Sequence, residues 1–221
     1  MKKQTLVLLL FLTFLFANVS NTTAQQKYGY VDLGLPSGTL WATSNIGAGN
    51  PWDNGDYFAW GEIEPKDTYS WSNYKHGNGN NADVSKKYNE IDSRTTLETS
   101  DDVAYQKWGS EWCMPTQAQF QELYDNCTNE WTANYQNKNV TGRIFKSKNN
   151  GNSIFFPAAG SKGDDGMLMD IGDCGGYWAS SLYTGYPDYA RDFYFNWSTV
   201  YADGYGYRCY GGSVRPVRCK E

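Results

Sequence analysis

The sequence predicts an α+β fold of mostly antiparallel short strands, with two helices and long loops. Three observations carry that expectation. Short runs of aromatic and β-branched residues recur at both ends of the chain between Gly, Asp and Asn clusters, the pattern of strands broken by turns. Two segments between those ends carry helical caps and an apolar stripe, so the helices should pack on the sheet. Aromatic residues make up 17% of the chain and charged residues only 19%. Disordered chains show the opposite balance, so a packed core is expected. No period of 20–50 residues recurs, which excludes a solenoid or propeller.

Tyr28–Leu33 is rich in β-formers, Pro36-Ser37-Gly38 turns the chain, and Thr39–Thr43 returns as a second strand. Asp56–Trp60 is a third aromatic run between glycines. From residue 62 to residue 99 the pattern dissolves into a long surface excursion containing Asn78-Gly79-Asn80-Asn81, a length typical of functional or variable loops. Ser100 or Asp101 can cap a helix that runs to Trp108 and stops at Gly109. A second helix starts at Thr116, where Thr116 and Gln119 make a capping box. Its apolar face is Phe120, Leu123, Tyr124 and Cys127, at i, i+3, i+4 and i+7. Beyond Trp131 the chain is β-like. Strands are expected at Ile144-Phe145, Ser153–Phe156, Tyr177–Ser180, Ala190–Phe195, Tyr207–Tyr210 and Ser213–Val217.

Lys2-Lys3, the apolar run Leu6–Ala17 and Thr22-Thr23-Ala24 together predict a secretory signal peptide over 1–24, cut before Gln25. The apolar run is too short for a spanning helix, which needs about 20 residues. The expected location is therefore periplasm, cell surface or extracellular space, with no membrane span after cleavage. Cleavage of 24 residues from 221 leaves 197 (25–221), enough for a single domain with a full core. It removes Lys2 and Lys3 and no acid, taking the formal charge from −5 to −7. That acidity excludes nucleic acid, whose phosphates require a basic face.

Ordered phrases span nearly all of the chain that follows. They are VDLGLPSGTLWAT (Val31–Thr43), GDYFAWGE (Gly55–Glu62), WCMPTQAQFQEL (Trp112–Leu123), NGNSIFFPAAG (Asn150–Gly160), GGYWASSL (Gly175–Leu182) and GGSVRPV (Gly211–Val217). In this order they resemble the Fibrobacter succinogenes major paralogous domain family, secreted or surface-attached proteins frequent in gut Bacteroidetes. The resemblance implies a C-type-lectin-like fold, a class that also includes the formylglycine-generating enzymes. Cys113 is a departure, standing where the family often has arginine in W-R-[ML]-P-T. The closely spaced late cysteine pair of the formylglycine-generating enzymes is missing, so an oxidase role is not expected.

Candidate chemistry is sparse. The single histidine, His76, falls in the Asn/Gly-rich excursion and reads as a solvated loop residue. Asp101/Asp102 and Glu62/Glu64 are carboxylate pairs of the kind glycoside hydrolysis uses, yet Asp101/Asp102 is equally accounted for by a helix N-terminus. No catalytic residue and no organic cofactor are assigned. Calcium is the one candidate cation, at Asp164, Asp165, Asp170 and Asp173 in a glycine-bent loop, against a plain solvated acidic loop. Five cysteines in an exported chain suggest disulfides, against inert buried thiols. The odd count leaves one over. Cys209 and Cys219 flank Gly211-Gly212 and are the candidate pair. Cys113 and Cys127 are held apart by about 17 Å of helix.

The expected function is non-enzymatic recognition of an extracellular glycan or a surface protein through loop aromatics. The candidate residues are Tyr183, Tyr186, Asp188, Tyr189, Asn196, Trp197, Tyr201, Asp203 and Tyr205. Aromatic faces stack on sugars, and Tyr and Trp lead protein hot spots. Core packing is the alternative for these rings. A structural or assembly module and a glycan-acting hydrolase are the alternative functions.

Overall fold

The computed structural model describes residues 28–79 and 86–219. The signal peptide and Asn80-Asn81 lie outside the described residues. The architecture is mixed α+β, with short antiparallel strands, a few short helices and no barrel or solenoid closure.

Strands β1 (Tyr30–Asp32) and β2 (Leu40–Ala42) pair antiparallel across the Pro36-Ser37-Gly38 turn. Next to β2 lies β12 (Val217–Arg218), and next to that β3 (Trp112–Cys113), giving the order β1-β2-β12-β3. The two ends of the described chain thus close into one sheet. Asp56–Trp60 is not a strand. A single bridge, Phe58 to Gly212, ties it down while Phe58, Ala59 and Trp60 are buried.

Helix α1 covers Val103–Trp108 and ends at Gly109, as expected. Its N-cap is Asp102 rather than Ser100 or Asp101, because Asp102 accepts from the amides of Ala104 and Tyr105. Helix α2 (Gln117–Asn126) carries the Thr116/Gln119 capping box. Phe120 and Leu123 face the core, and Phe120 stacks on Phe193 at 4.8 Å. Tyr124 is exposed, at the margin of this stripe, and Cys127 is not helical. It opens β4 (Cys127–Thr132), which pairs with β5 (Gly142–Ser147), which in turn pairs with β6 (Ser153–Pro157).

A two-stranded hairpin, β7 (Ser161–Lys162) and β8 (Leu168–Met169), occupies the acidic segment read from sequence as an open loop. The third sheet has the order β11-β10-β9: β9 is Cys174–Leu182, β10 Tyr189–Asn196 and β11 Val200–Tyr207. The expected strand at Tyr207–Tyr210 is a turn, and the strand lies just before it in β11.

The largest core cluster gathers Trp41, Phe120, Phe145, Phe156, Tyr177, Phe193 and Phe195. Among the described residues three arginines are buried, Arg143, Arg208 and Arg215, the last two completely. Arg215, from GGSVRPV, donates to Asn45 Oδ1 at 2.8 Å and to the Phe155 carbonyl at 3.0 Å, and lies over the Phe156 ring. Burial lowers its pKa to about 10. Arg208 donates to the carbonyls of Lys87, Tyr88 and Pro187 and to Tyr74 Oη. It thereby pins the excursion to the body of the fold.

That excursion is not the solvated tract its composition suggests. Tyr69, Tyr74, His76 and Tyr88 are buried, and His76 is only 4% exposed. His76 Nε2 is 3.0 Å from the Gly61 carbonyl and 3.9 Å from Asp101 Oδ1. Burial pushes its pKa down, outweighing those two partners. Asp101 is buried and accepts from Lys75 at 2.7 Å, Lys87 at 2.5 Å and the Tyr88 hydroxyl at 2.6 Å. Burial opposes its ionisation, but these hydrogen bonds prevail and hold its carboxyl well below the usual range.

The disulfide expectation is corrected. Cys219 pairs with Cys113, not with Cys209, across Cα atoms 5.3 Å apart. The β12–β3 register sets Val217 opposite Cys113 and brings the following residues alongside. Cys209 is a buried thiol, as are Cys127 and Cys174. Cys113 and Cys127 are unpaired with each other, as the helix length requires.

Candidate functional site

Three of the six aromatic candidates, Tyr189, Tyr201 and Tyr205, lie on strands, Tyr183, Tyr186 and Trp197 lie on loops, and the six separate into groups. Antiparallel pairing sets Tyr189 opposite Tyr207 and Arg191 opposite Tyr205. Tyr189 and Tyr207 stack at 4.4 Å, and Tyr183 and Tyr205 at 4.6 Å. Tyr205 meets Tyr189 edge-on at 5.3 Å, and Tyr186 packs on Tyr183 at 6.2 Å. The Arg191 guanidinium lies 4.6 Å from the Tyr183 ring centroid and donates to the Asp203 carbonyl at 2.7 Å. The result is a continuous ladder of rings at the open end of the β10–β11 hairpin. Its outer members stay exposed, Tyr186 by 62% and Tyr205 by 54%.

Tyr201 belongs to a second pair, opposite Tyr194 with ring centroids 6.3 Å apart. Trp197 is 73% exposed at the hairpin tip. At about 3.4 Å per residue the tip is some 15–20 Å along the strands from Tyr205, so Trp197 does not join the ladder. Asn196 does not present its carbonyl oxygen to a ligand. Its Oδ1 accepts from the amides of Ser198 and Thr199 and is engaged in shaping the tip. Asp188 serves the backbone, its carbonyl accepting from the Arg208 amide at 3.0 Å.

Between the rings the sheet opens into two adjoining hollows. The inner one, of about 130 Å³, is walled by Trp178, Tyr194 and Tyr210, with Asp170, Asp192 and Cys174 on its lining. Ser161 and five glycines, Gly160, Gly176, Gly206, Gly211 and Gly212, complete it. The outer one, of about 370 Å³, is lined by Asp192, Tyr194, Tyr201, Asp203, Gly204 and Tyr205. Asp192 and Tyr194 are common to both. Neither lining contains a Lys, Arg or His.

Asp192 is the unusual group. Its Oδ1 is buried without a hydrogen-bond partner, where buried polar atoms are ordinarily satisfied. Burial raises its pKa, Arg191 opposes the rise, and the value settles at about 7. The strand opposite makes room for it. A Cβ at Gly204 would fall 2.3 Å from Asp192 Oδ1, and one at Gly206 would fall 3.1 Å from the Trp178 ring. Glycines at these two positions are therefore what allows the carboxyl and the indole into the hollow. Trp178 is itself fixed, donating from Nε1 to the Phe58 carbonyl at 2.8 Å. Burial raises the pKa of the Cys174 thiol to about 11, so it stays protonated at neutral pH.

Among the described residues no three His, Cys, Asp or Glu side chains come together as a metal-holding group. Asp164, Asp165, Asp170 and Asp173 are therefore not gathered into a calcium cage. Asp165 instead accepts from the Met167 amide at 2.9 Å, and the Asp170 carbonyl closes a turn with the amides of Asp173 and Cys174.

Of the sequence candidates, Tyr201, Asp203 and Tyr205 line the hollows, and Tyr183, Tyr186 and Tyr189 build the ladder beside them. Sequence reasoning missed Asp192 and Tyr194, and it placed Trp178 in a strand without a part in the site. A signal was present: an aspartate inside a strand of alternating core aromatics, facing a Gly-x-Gly strand. Comparison with protein-family models, with curated proteins and with solved structures returned no match.

Proposed function

We propose that this chain is an exported, non-enzymatic recognition module that binds carbohydrate on the β9–β10–β11 sheet. The reading includes membership of the Fibrobacter succinogenes major paralogous domain family, a C-type-lectin-like fold and a place at the bacterial surface or outside the cell. One observation carries it: the exposed tyrosine ladder meets, at Tyr205, an outer hollow that shares with the inner one Asp192, whose buried Oδ1 lacks a partner. Rings supply flat apolar faces for sugar rings. A buried acceptor without a partner rewards a ligand that brings a donor. The tyrosines already stack on one another, so ordering them costs little on binding.

Glycan-array binding tests the proposal, with Tyr205→Ala as the paired variant. Truncating a contact ring should cost roughly 2 kcal/mol of binding. An array without hits, or hits indifferent to Tyr205→Ala, would refute it.

Hydrolysis is a second reading with its own support. Asp192 titrates near neutrality beside Asp170 and Asp203, and glycosidases pair an acid of raised pKa with an ionised carboxylate. Turnover of a bound oligosaccharide, abolished by Asp192→Asn, would replace recognition with catalysis. A third reading, assembly, rests on the exposed side chains of Met167, Leu168, Met169 and Ile171 along the β7–β8 hairpin.

A further inference from the structure

We infer that the inner hollow receives a primary ammonium group, so that the glycan recognised here carries free amino sugars of the glucosamine type. The inference rests on the glycan reading above and adds the chemistry of the group that is read.

Four features of the two hollows select that group. Asp192 Oδ1 is desolvated and lacks a partner, so the ligand must supply an N–H or O–H donor. Three carboxylates, Asp170, Asp192 and Asp203, line the hollows with no basic side chain among them. The lining thus rejects anions and favours a cation over a neutral hydroxyl. Trp178, Tyr194 and Tyr210 form the inner walls, and aromatic faces attract an ammonium that has been taken out of water. Size completes the argument. At about 130 Å³ the inner hollow is close to the size of a cavity that takes up one benzene, so it suits a single substituent better than a whole sugar residue with its hydroxyls. The ring itself fits the larger outer hollow against Tyr201 and Tyr205, while Asp192, common to both, reaches the amine. An N-acetyl group in the same place would bring bulk and no charge.

Calorimetry on the full chain at pH 7 tests this with four probes: a glucosamine tetramer, its N-acetylated counterpart, a neutral glucose tetramer and tetralysine. The variants are Asp192→Asn, Tyr201→Ala and, as a control for net charge, Asp125→Asn on the exposed face of α2. The expected result is a preference of tenfold or more for the glucosamine tetramer. Asp192→Asn should weaken that binding by about 30-fold or more, as loss of one partner of a buried charged pair does, and Asp125→Asn should leave it unchanged. Equal binding of the neutral or acetylated tetramer, sensitive to Tyr201→Ala but not to Asp192→Asn, would overturn the ammonium site and leave the glycan reading standing. Tetralysine binding in place of the sugar, lost in Asp192→Asn, would keep the ammonium site and overturn the glycan. Equal loss in Asp125→Asn would show attraction to net charge alone and overturn the site, and binding of none of the probes would overturn both.

Discussion

Replacing Asp192 by Asn should stabilise the protein at alkaline pH while weakening its binding. An ordinary aspartate titrates near 3.8, whereas burial puts Asp192 at about 7. The folded state therefore holds a proton on this group between about pH 4 and pH 7 that the unfolded chain has released. Stability from this source is full below pH 4, falls as pH rises through the window, and is gone above pH 7. The difference of about three pH units corresponds to about 4 kcal/mol at 1.36 kcal/mol per unit. Asp192 keeps some solvent contact as a residue, so a loss of about 2–4 kcal/mol is the expected span. An amide of the same shape carries no charge to desolvate and loses nothing over that range. It has its own pH-independent cost of about 1–3 kcal/mol if its polar atoms stay unmatched. The diagnostic quantity is therefore the change in the mutant–wild-type difference between pH 5 and pH 8, not its value at one pH. Urea titrations at both pH values, followed by tryptophan fluorescence, measure it. The variant should gain about 1–3 kcal/mol relative to wild type on going from pH 5 to pH 8. A difference that stays constant with pH would refute the burial argument. One that becomes more unfavourable at pH 8 would show that the ionised carboxylate has a stabilising partner in the fold.

Peptide mapping without reduction should recover a Cys113–Cys219 crosslink, and Cys113→Ser should cost about 3–5 kcal/mol, the scale of a disulfide that closes a loop of about 100 residues; an unchanged midpoint in denaturant would count against it. Asp101→Asn should cost about 3–5 kcal/mol at pH 7, because Lys75, Lys87 and Tyr88 lose their shared acceptor. The wild-type contribution of Asp101 is present above about pH 4 and is lost as pH falls toward its depressed folded value, so the deficit should shrink in acid. Trp178→Ala should destabilise by about 3–5 kcal/mol and Trp197→Ala by less than about 0.5 kcal/mol, since one ring is packed and bonded while the other stands in solvent. Equal melting points for these two variants would show the core to be wrongly drawn.

Local signals were sufficient for much of this fold. The Thr116/Gln119 capping box, the Gly109 stop and the β1–β2 turn are decided by neighbours within a few residues, and each appears where the sequence places it. Runs of aromatic and β-forming residues between turn residues were also enough to find β5, β6, β9 and β10. Strand β11 escaped because its composition, Val-Tyr-Ala-Asp-Gly-Tyr-Gly-Tyr, is that of a loop. What makes it a strand is its partner: β10 supplies the hydrogen-bonding edge, and the bulk of Asp192 and Trp178 fills the space that Gly204 and Gly206 leave.

The tertiary structure decided the rest, and the reason is separation along the chain. His76 looks solvated in a polar tract and Asp101 reads as a helix N-terminus, yet distant contacts bury them both. Asp101 draws on Lys75, Lys87 and Tyr88, and Arg208 reaches back to Tyr74, Tyr88 and Lys87. Cys219 finds Cys113 across 106 residues only because β12 lies beside β3, a pairing that spacing cannot reveal. Cys113 is half of that crosslink. The candidate site divides in the same way. Its tyrosines were legible as a cluster because they are close in sequence, whereas the hollow and its unpaired carboxylate exist only where β9, β10, β11 and the Tyr210–Gly212 turn converge. Residue identity alone supplies the rings and the acid; whether the acid is hydrated or stranded depends on what the distant chain removes from water around it.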